Sequence, residues 1–536
     1  MQMQDLSYKL RNDSIDLGEY QVSVEVFSLD NVYTIEPNSF VNENGVYNSN
    51  KLLWGNDVPV EGNVCLSVEK NKDYNDFQVD ATLYKKIRSV KLRFDNLPLG
   101  TYISSVDEEK DVTERGLLFH YPEGWRSLST PLLIFRLENG KYLYISCKDN
   151  TVRKKSFFFK KVNDTMRLDV VLECEGTEMD CHFLAPTVEC GVNDNLEEII
   201  LKHSNHIKEV YGLDEYIDCS IAPSWLKDIS LVVTMHMQTF TGFIFHTYQQ
   251  ALDDMRQITS YLDGKNILVY LAGWEGRYYY KYGDYTCDER MGGEIKLKEL
   301  VDGLHGLGCK VMAMYGMNIM NKNIPALKDI WEKAEFQSLS GAKYHSGSVD
   351  WEGAHHYDFN ELVQLNVGYK EYQDYLFNQI KDATDKYDFD GAFLDIAACY
   401  TNDLNNNLYK GVIELCDRLR GIKPDFLVSG EGFYDGLAKA MPLFQSGHTD
   451  GWMHYHDRVS PMLFTRFSRE FAHLCLGDVG RGSTGVHEQG TNTETMTPLR
   501  EGIIPTLSVV EDTVSEHFEK VKEILDQAKE YKRRFL

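Results

Sequence analysis

The chain lacks any CxxC pair or regular spacing among its 11 cysteines. An odd count in 536 residues argues against a disulfide framework and for buried thiols in a reducing compartment. It also lacks a basic-then-apolar leader, since it starts MQMQDLSYKLRNDSIDL, and no apolar run approaches the roughly 20 residues that span a bilayer. A soluble, unexported, cytoplasmic protein is the expectation. Basic residues are outnumbered: 56 Lys and Arg against 82 Asp and Glu give a net charge of −26, a field that repels phosphate backbones and anionic lipid headgroups. Neither nucleic acid nor a membrane is therefore expected as a partner. No GxGxxG or GxxxxGK[ST] stands at a strand-to-helix turn, which counts against a doubly wound nucleotide-binding sheet. There is no HExxH, no internal repeat and no low-complexity tract.

What is present describes a folded protein with ample core material, 43% hydrophobic and 12% aromatic. Its length fits two to four domains, or one barrel with a companion. Up to about residue 215 short stretches alternate apolar and polar residues: YQVSVEVFSL (20–29), VCLSVEK (64–70), FQVDATLY (77–84), SVKLRFDNL (89–97), PLLIFRLENGKYLYISCKD (131–149) and MRLDVVLECEG (166–176). Period-two spacing between turn residues predicts antiparallel strands, here an N-terminal β-sandwich, with a hairpin at LENGKYLYI. NLEEIILKHSNHIKEVYGL (195–213) then has helical spacing. The predicted division is a β-sandwich with its linking helix over 1–222 and a second domain over 223–536.

In that second domain apolar runs alternate with amphipathic stretches. The runs are ISLVVTMHM (229–237), NILVYLAGW (266–274), KVMAMYGMN (310–318), DGAFLDIA (390–397) and DFLVSGEG (425–432), followed by PLFQSGHTDGW (442–452), AHLCLGDVG (472–480) and GIIPTLSVV (502–510). Helices are predicted near 248–262, 296–308, 368–387, 406–422 and 513–535. Continuous apolar strands joined by helical crossovers are parallel and doubly buried, so the fold class is multidomain α/β, with a (β/α)8 barrel after the sandwich.

Functional residues of such a barrel sit where strands end. The second run ends in Trp274, Glu275 and Arg277, followed by Tyr278, Tyr279 and Tyr280. Tyr315 and Asn318 end the third, Asp395 the fourth and Glu431 the fifth. His448 and Asp450 follow the sixth, and Asp478 and Arg481 the seventh. Trp351 and His355 lie in a long loop, KYHSGSVDWEGAHHYDF (343–359), which reads as a pocket rim. Carboxylates, aromatics, His and Arg together suit a sugar, whose CH faces stack on rings and whose hydroxyls bond to charged groups. Asp395 and Glu431, on consecutive strands, form the sharpest pair, because glycoside cleavage needs one ionised and one protonated carboxyl, about 5 to 5.5 Å apart for retention of configuration. The expected partner is an oligosaccharide or glycoside substrate, with no cofactor and no metal. The histidines His345, His355, His356, His454 and His456 leave a metal-dependent hydrolase as one alternative, and a non-catalytic carbohydrate-binding protein as another.

DFDGAFLDIA (388–397) followed by FLVSGEG (426–432) resembles the strand-four and strand-five motifs of the α-amylase type of retaining α-glycosidase. It is also similar to the endo-α-N-acetylgalactosaminidase type, which places a β-sandwich before such a barrel. The resemblance implies an α-linked substrate, with Asp395 as nucleophile and Glu431 as general acid/base. Phe393 stands where amylase-type enzymes carry Arg. The pattern of α-galactosidase-like barrels, an Asp on strand four and another on strand six, assigns the acid/base to Asp450 instead.

Overall fold

The computed structural model describes residues 10–55, 57–103, 109–122, 128–238, 242–276, 281–343, 362–446, 463–472 and 499–536. The N-terminal part is a sandwich of a nine-stranded and a ten-stranded antiparallel sheet. Every stretch expected to alternate forms strand, for example Gln21–Phe27, Tyr74–Leu83, Ser89–Pro98 and Thr165–Glu173. Rings from the two sheets interlock across the core, with Phe77 against Phe94 at 5.2 Å and Phe135 against Phe159 at 4.9 Å. The expected hairpin joins Leu132–Leu137 to Tyr142–Lys148, and Gly140 takes the positive φ (+80°) that its turn requires.

After the last sandwich strand, Thr187–Asn193, a helix runs over Leu196–Tyr211. Asn195 caps its start, accepting the amides of Glu197 and Glu198, and Gly212 ends it in the left-handed conformation.

The barrel follows. Its strands are β1 (Leu231–His236), β2 (Ile267–Ala272), β3 (Lys310–Gly316), β4 (Gly391–Asp395), β5 (Leu427–Glu431), β6 (Leu443–Ser446), β7 (Arg469–Ala472) and β8, which Pro505 divides into Ile503–Ile504 and Thr506–Val509. All pairings are parallel and in sequence order, and the two halves of β8 close the ring, one on β7 and the other on β1. Burial on both faces is why these runs read as continuously apolar: all six residues of β1 and of β2 are buried. The seventh strand is a correction. It lies at Arg469–Ala472, ahead of the stretch expected to form it, and residues 473–480 are outside the described residues.

Helices Tyr248–Thr259, Gly293–Gly306, Lys370–Tyr387, Leu408–Arg420 and Thr513–Phe535 cover the outside. None of the described helices is long and apolar enough to cross a membrane. Inside, Tyr270, Phe393 and Phe471 converge at 4.4 to 6.1 Å and fill the centre, so the barrel is a packed core open to ligands only at its ends.

Candidate active site

Strand register decides which side chains share a face. Met314 pairs with Phe393 and Gly316 with Asp395, so Asp395 points the same way as the inward ring Phe393. Phe393 pairs in turn with Ser429, and Leu394 with Gly430, which sets Glu431 beside Asp395 on that same inward face. Gln445, paired with Glu431, continues the row on β6. On β1, Thr234 pairs with Tyr270 and His236 with Ala272, so His236 also faces inward at the C-terminal end.

Asp395 and Glu431 are almost wholly buried, 1% and 5% exposed, and their carboxyls are in direct hydrogen-bond contact. Other donors reach both, and the Ile396 amide serves the two alike. The Tyr282 hydroxyl donates to Asp395 Oδ2 at 2.6 Å, and the Ile396 amide donates to Glu431 Oε2 at 2.9 Å. Burial, then the neighbouring Glu431 carboxyl, pushes Asp395 well above the usual carboxylate range, and burial raises Glu431 as well. Two acids in contact in a low-dielectric site disfavour ionising together, which is why both rise. Direct contact is closer than the spacing expected of carboxyls that flank a glycosidic bond.

The backbone is bent to make this contact. Ile396 takes φ of +61°, a left-handed conformation that a β-branched residue adopts at a cost of order 1 to 3 kcal/mol. Bonds around it hold the turn: Asn318 Nδ2 donates to Ile396 O at 3.1 Å, Met317 N to Asp395 O at 3.3 Å and Ala398 N to Glu431 O at 3.0 Å. Asn318 is thus brought to the pair, and its Oδ1 is buried with no bonding partner.

Glu275 is a third buried acid, 1% exposed, and neither carboxyl oxygen finds a hydrogen-bond partner. Burial pushes it up to about 8, against the pull of its own backbone amide and then of Lys281, and Asp395 adds to the rise. It therefore carries a proton at neutral pH. Trp274 and Tyr315 have a different place. Tyr315 pairs with Leu394, on the face opposite to Asp395, and packs on Trp274 at 5.8 Å and Tyr285 at 4.8 Å. Trp274 also meets Tyr387 and Phe389, from the end of helix Lys370–Tyr387 and just beyond it. Both rings belong to the layer between strands and helices.

Arg277, Trp351, His355, His448, Asp450, Asp478 and Arg481 lie outside the described residues, as do Tyr278, Tyr279, Tyr280, His345, His356, His454 and His456. Among the described residues, Asp512, Glu516 and His517 have ligand atoms spaced as a metal ion would need, but they belong to the start of the last helix. Two neighbours of the pair, Tyr282 and Gln445, and one further inward strand-end residue, His236, went unnoticed in the sequence. Tyr282 sits in the Tyr-rich stretch after Glu275, where nothing separates it from Tyr278, Tyr279 and Tyr280. His236 and Gln445 end β1 and β6, and the strand-end rule applied to those runs would have found both.

No family model matches the chain. Solved structures do resemble it. An α-N-acetylgalactosaminidase from Bifidobacterium bifidum, in complex with GalNAc, superposes with a TM-score of 0.65 at 12% identity, covering 96% of this chain and 88% of that one. A GH36 α-galactosidase from Geobacillus stearothermophilus gives 0.55 at 12% identity, covering 97% and 73%. The galactosidase domain of an α-galactosidase–sucrose kinase gives 0.53 at 14% identity, covering 98% and 73%. The chain has the fold of these α-glycosidases. The match runs through sandwich and barrel alike, so the sandwich is part of the α-glycosidase-type architecture and not an unrelated appendage.

Proposed function

We propose that the protein is a retaining glycoside hydrolase acting on α-linked sugars, with Asp395 as nucleophile and Glu431 as general acid/base. The observation that carries this reading is the buried Asp395–Glu431 pair at adjacent strand ends of a barrel with the fold of α-glycosidases. Hydrolysis by two carboxyls needs one of them protonated and the other ionised.

In the first step the ionised Asp395 attacks the anomeric carbon, the glycosidic C–O bond breaks, and Glu431 gives its proton to the leaving oxygen. In the second, Glu431 takes a proton from water, the water oxygen attacks the anomeric carbon, and the glycosyl ester bond to Asp395 breaks. Tyr282 holds Asp395 Oδ2 and leaves Oδ1 to attack. The Ile396 amide on Glu431 Oε2 places the transferable proton on Oε1. Because the two carboxyls touch, seating a sugar between them requires one to turn away, which separates them toward the spacing of about 5 to 5.5 Å. The α linkage is supported by the likeness of fold to α-glycosidases, since two carboxyls serve α and β bonds alike.

The test is turnover of aryl α- and β-glycosides of the common sugars, with product anomers read by NMR. Hydrolysis of an α-glycoside with retained configuration is expected, lost by about 1,000-fold or more in Asp395→Asn and in Glu431→Gln. Full activity in both variants, or no α-glycoside hydrolysed, would overturn the reading. Loss in Asp450→Asn with activity kept in Glu431→Gln would move the acid/base role to Asp450.

A further inference from the structure

The sandwich touches the barrel at the two loops that leave the candidate acids. The loop after β4 meets it through Asn402, whose side chain is 5% exposed. Asn402 Nδ2 donates to Glu173 Oε2 at 3.0 Å and to Cys174 O at 2.8 Å, and its Oδ1 accepts the Gly176 amide at 2.9 Å. The fit is close, since a Cβ on Gly176 would stand 2.2 Å from the Asp403 carbonyl oxygen. The loop after β5 meets the sandwich through Asp435, four residues beyond Glu431 and 3% exposed. The Tyr121 hydroxyl donates to its Oδ1 at 2.5 Å, the Thr130 hydroxyl to its Oδ2 at 2.9 Å, and its own amide donates to Ser129 O at 2.8 Å. Tyr400 and Tyr434, one from each loop, meet at 6.4 Å.

We propose that Asn402 and Asp435 are positioning residues through which the N-terminal sandwich clamps both loops and so fixes how Asp395 and Glu431 face each other. This rests on the reading of those two acids as the hydrolytic pair. The geometry favours a clamp over a passive interface for two reasons. The contacts are buried, directional and fully satisfied side-chain bonds, which hold a loop in one place far better than apolar contact does. They also fall at both members of the pair: the β4 turn is strained at Ile396 and is held to Glu431 by the Ile396 and Ala398 amides, so each loop's freedom becomes the other's. Without the clamp, relaxation at Ile396 would carry Asp395 off its line of attack, and an error of about 1 Å in such a site costs up to about 100-fold in rate.

Tyr121→Phe and Asn402→Ala test this on the full chain, each acting on one loop and neither touching the pair. With the aryl α-glycoside that the wild type hydrolyses, each variant is expected to lose about 10-fold or more in kcat, with KM within about two-fold of the parent. Amide hydrogen exchange, which needs no activity, is expected to accelerate in residues 396–407 and 432–441 and to stay unchanged in strands β1 to β3. A merely structural role moves the other way: kcat per folded molecule is kept while exchange rises throughout with a lower Tm, and that result overturns the proposal. If Tyr121→Phe does not fold, Asn402→Ala decides alone. If the wild type hydrolyses no glycoside, the functional reading falls by itself, and unchanged exchange in both loops would still overturn the clamp.

Discussion

Glu275→Gln changes the pH dependence of stability by an amount set chiefly by burial. Glu275 is pushed up to about 8 in the folded protein, against about 4.3 in an unfolded chain. The folded state therefore binds the proton more tightly. The stability this confers is fully present below the unfolded value, falls as the unfolded chain ionises, and is lost as pH rises through about 8. Linkage gives a fall of roughly 3 to 4 kcal/mol between pH 5 and pH 8, which Gln, having no proton to lose, does not suffer. Any steric or hydrogen-bonding effect of the amide is the same at both pH values, so the change in the gap isolates the titration. Thermal midpoints of parent and variant at pH 5 and pH 8 are the assay. The variant is expected to gain on its parent by about 5 °C between the two, given how a large domain converts free energy into Tm. Parallel pH curves would refute the argument, because they would mean that Glu275 is solvated or paired when folded.

Removing the hydroxyl in Tyr282→Phe takes away a donor that favours ionised Asp395. Its pKa should rise further, moving the acid limb of the kcat/KM profile to higher pH, and an unmoved limb would detach Tyr282 from the nucleophile. Tyr315→Phe deletes a buried hydroxyl with no hydrogen-bond partner, so stability is expected to stay level or rise by about 1 kcal/mol in denaturant unfolding, with KM unchanged. A large rise in KM would restore Tyr315 to the substrate site.

Most of the architecture was legible because doubly buried parallel strands leave an unbroken apolar trace. β1 to β6 and β8 each lie within a run chosen on that ground alone. β7 broke the rule. Its first two residues are Arg469 and Glu470, which no apolar search selects, whereas AHLCLGDVG just beyond looks like a strand. Arg469 is tolerated because its guanidinium stacks 3.6 Å from the Tyr216 ring and donates to the carbonyls of Thr465 and Ser468. Those partners include a residue more than 250 positions earlier, and compensation at that range leaves no local mark in a sequence.

The same contrast runs through the site. Asp395 and Glu431 could be found because each is the first acid after an apolar strand, and consecutive strands of a parallel sheet bring their ends together. Tyr315 shares that position and yet faces the helices, because alternation decides the face, whereas Trp274 has the parity of the inward Tyr270 and reaches the helices only because it lies past the strand end and past Gly273, whose φ is +67°. Tyr315 is one residue from the parity of Asp395, a distinction fixed by the pairing of Gly316 with Asp395. Tyr282 and the clamp residues follow no strand-end rule at all. Asp435 meets Tyr121 across 314 residues and Asn402 meets Cys174 across 228, so their roles exist only once sandwich and barrel are packed together. What the chain displays locally is the pair of acids; what sets the distance between them is non-local. That division is why the two carboxyls could be named from the sequence while their direct contact could not.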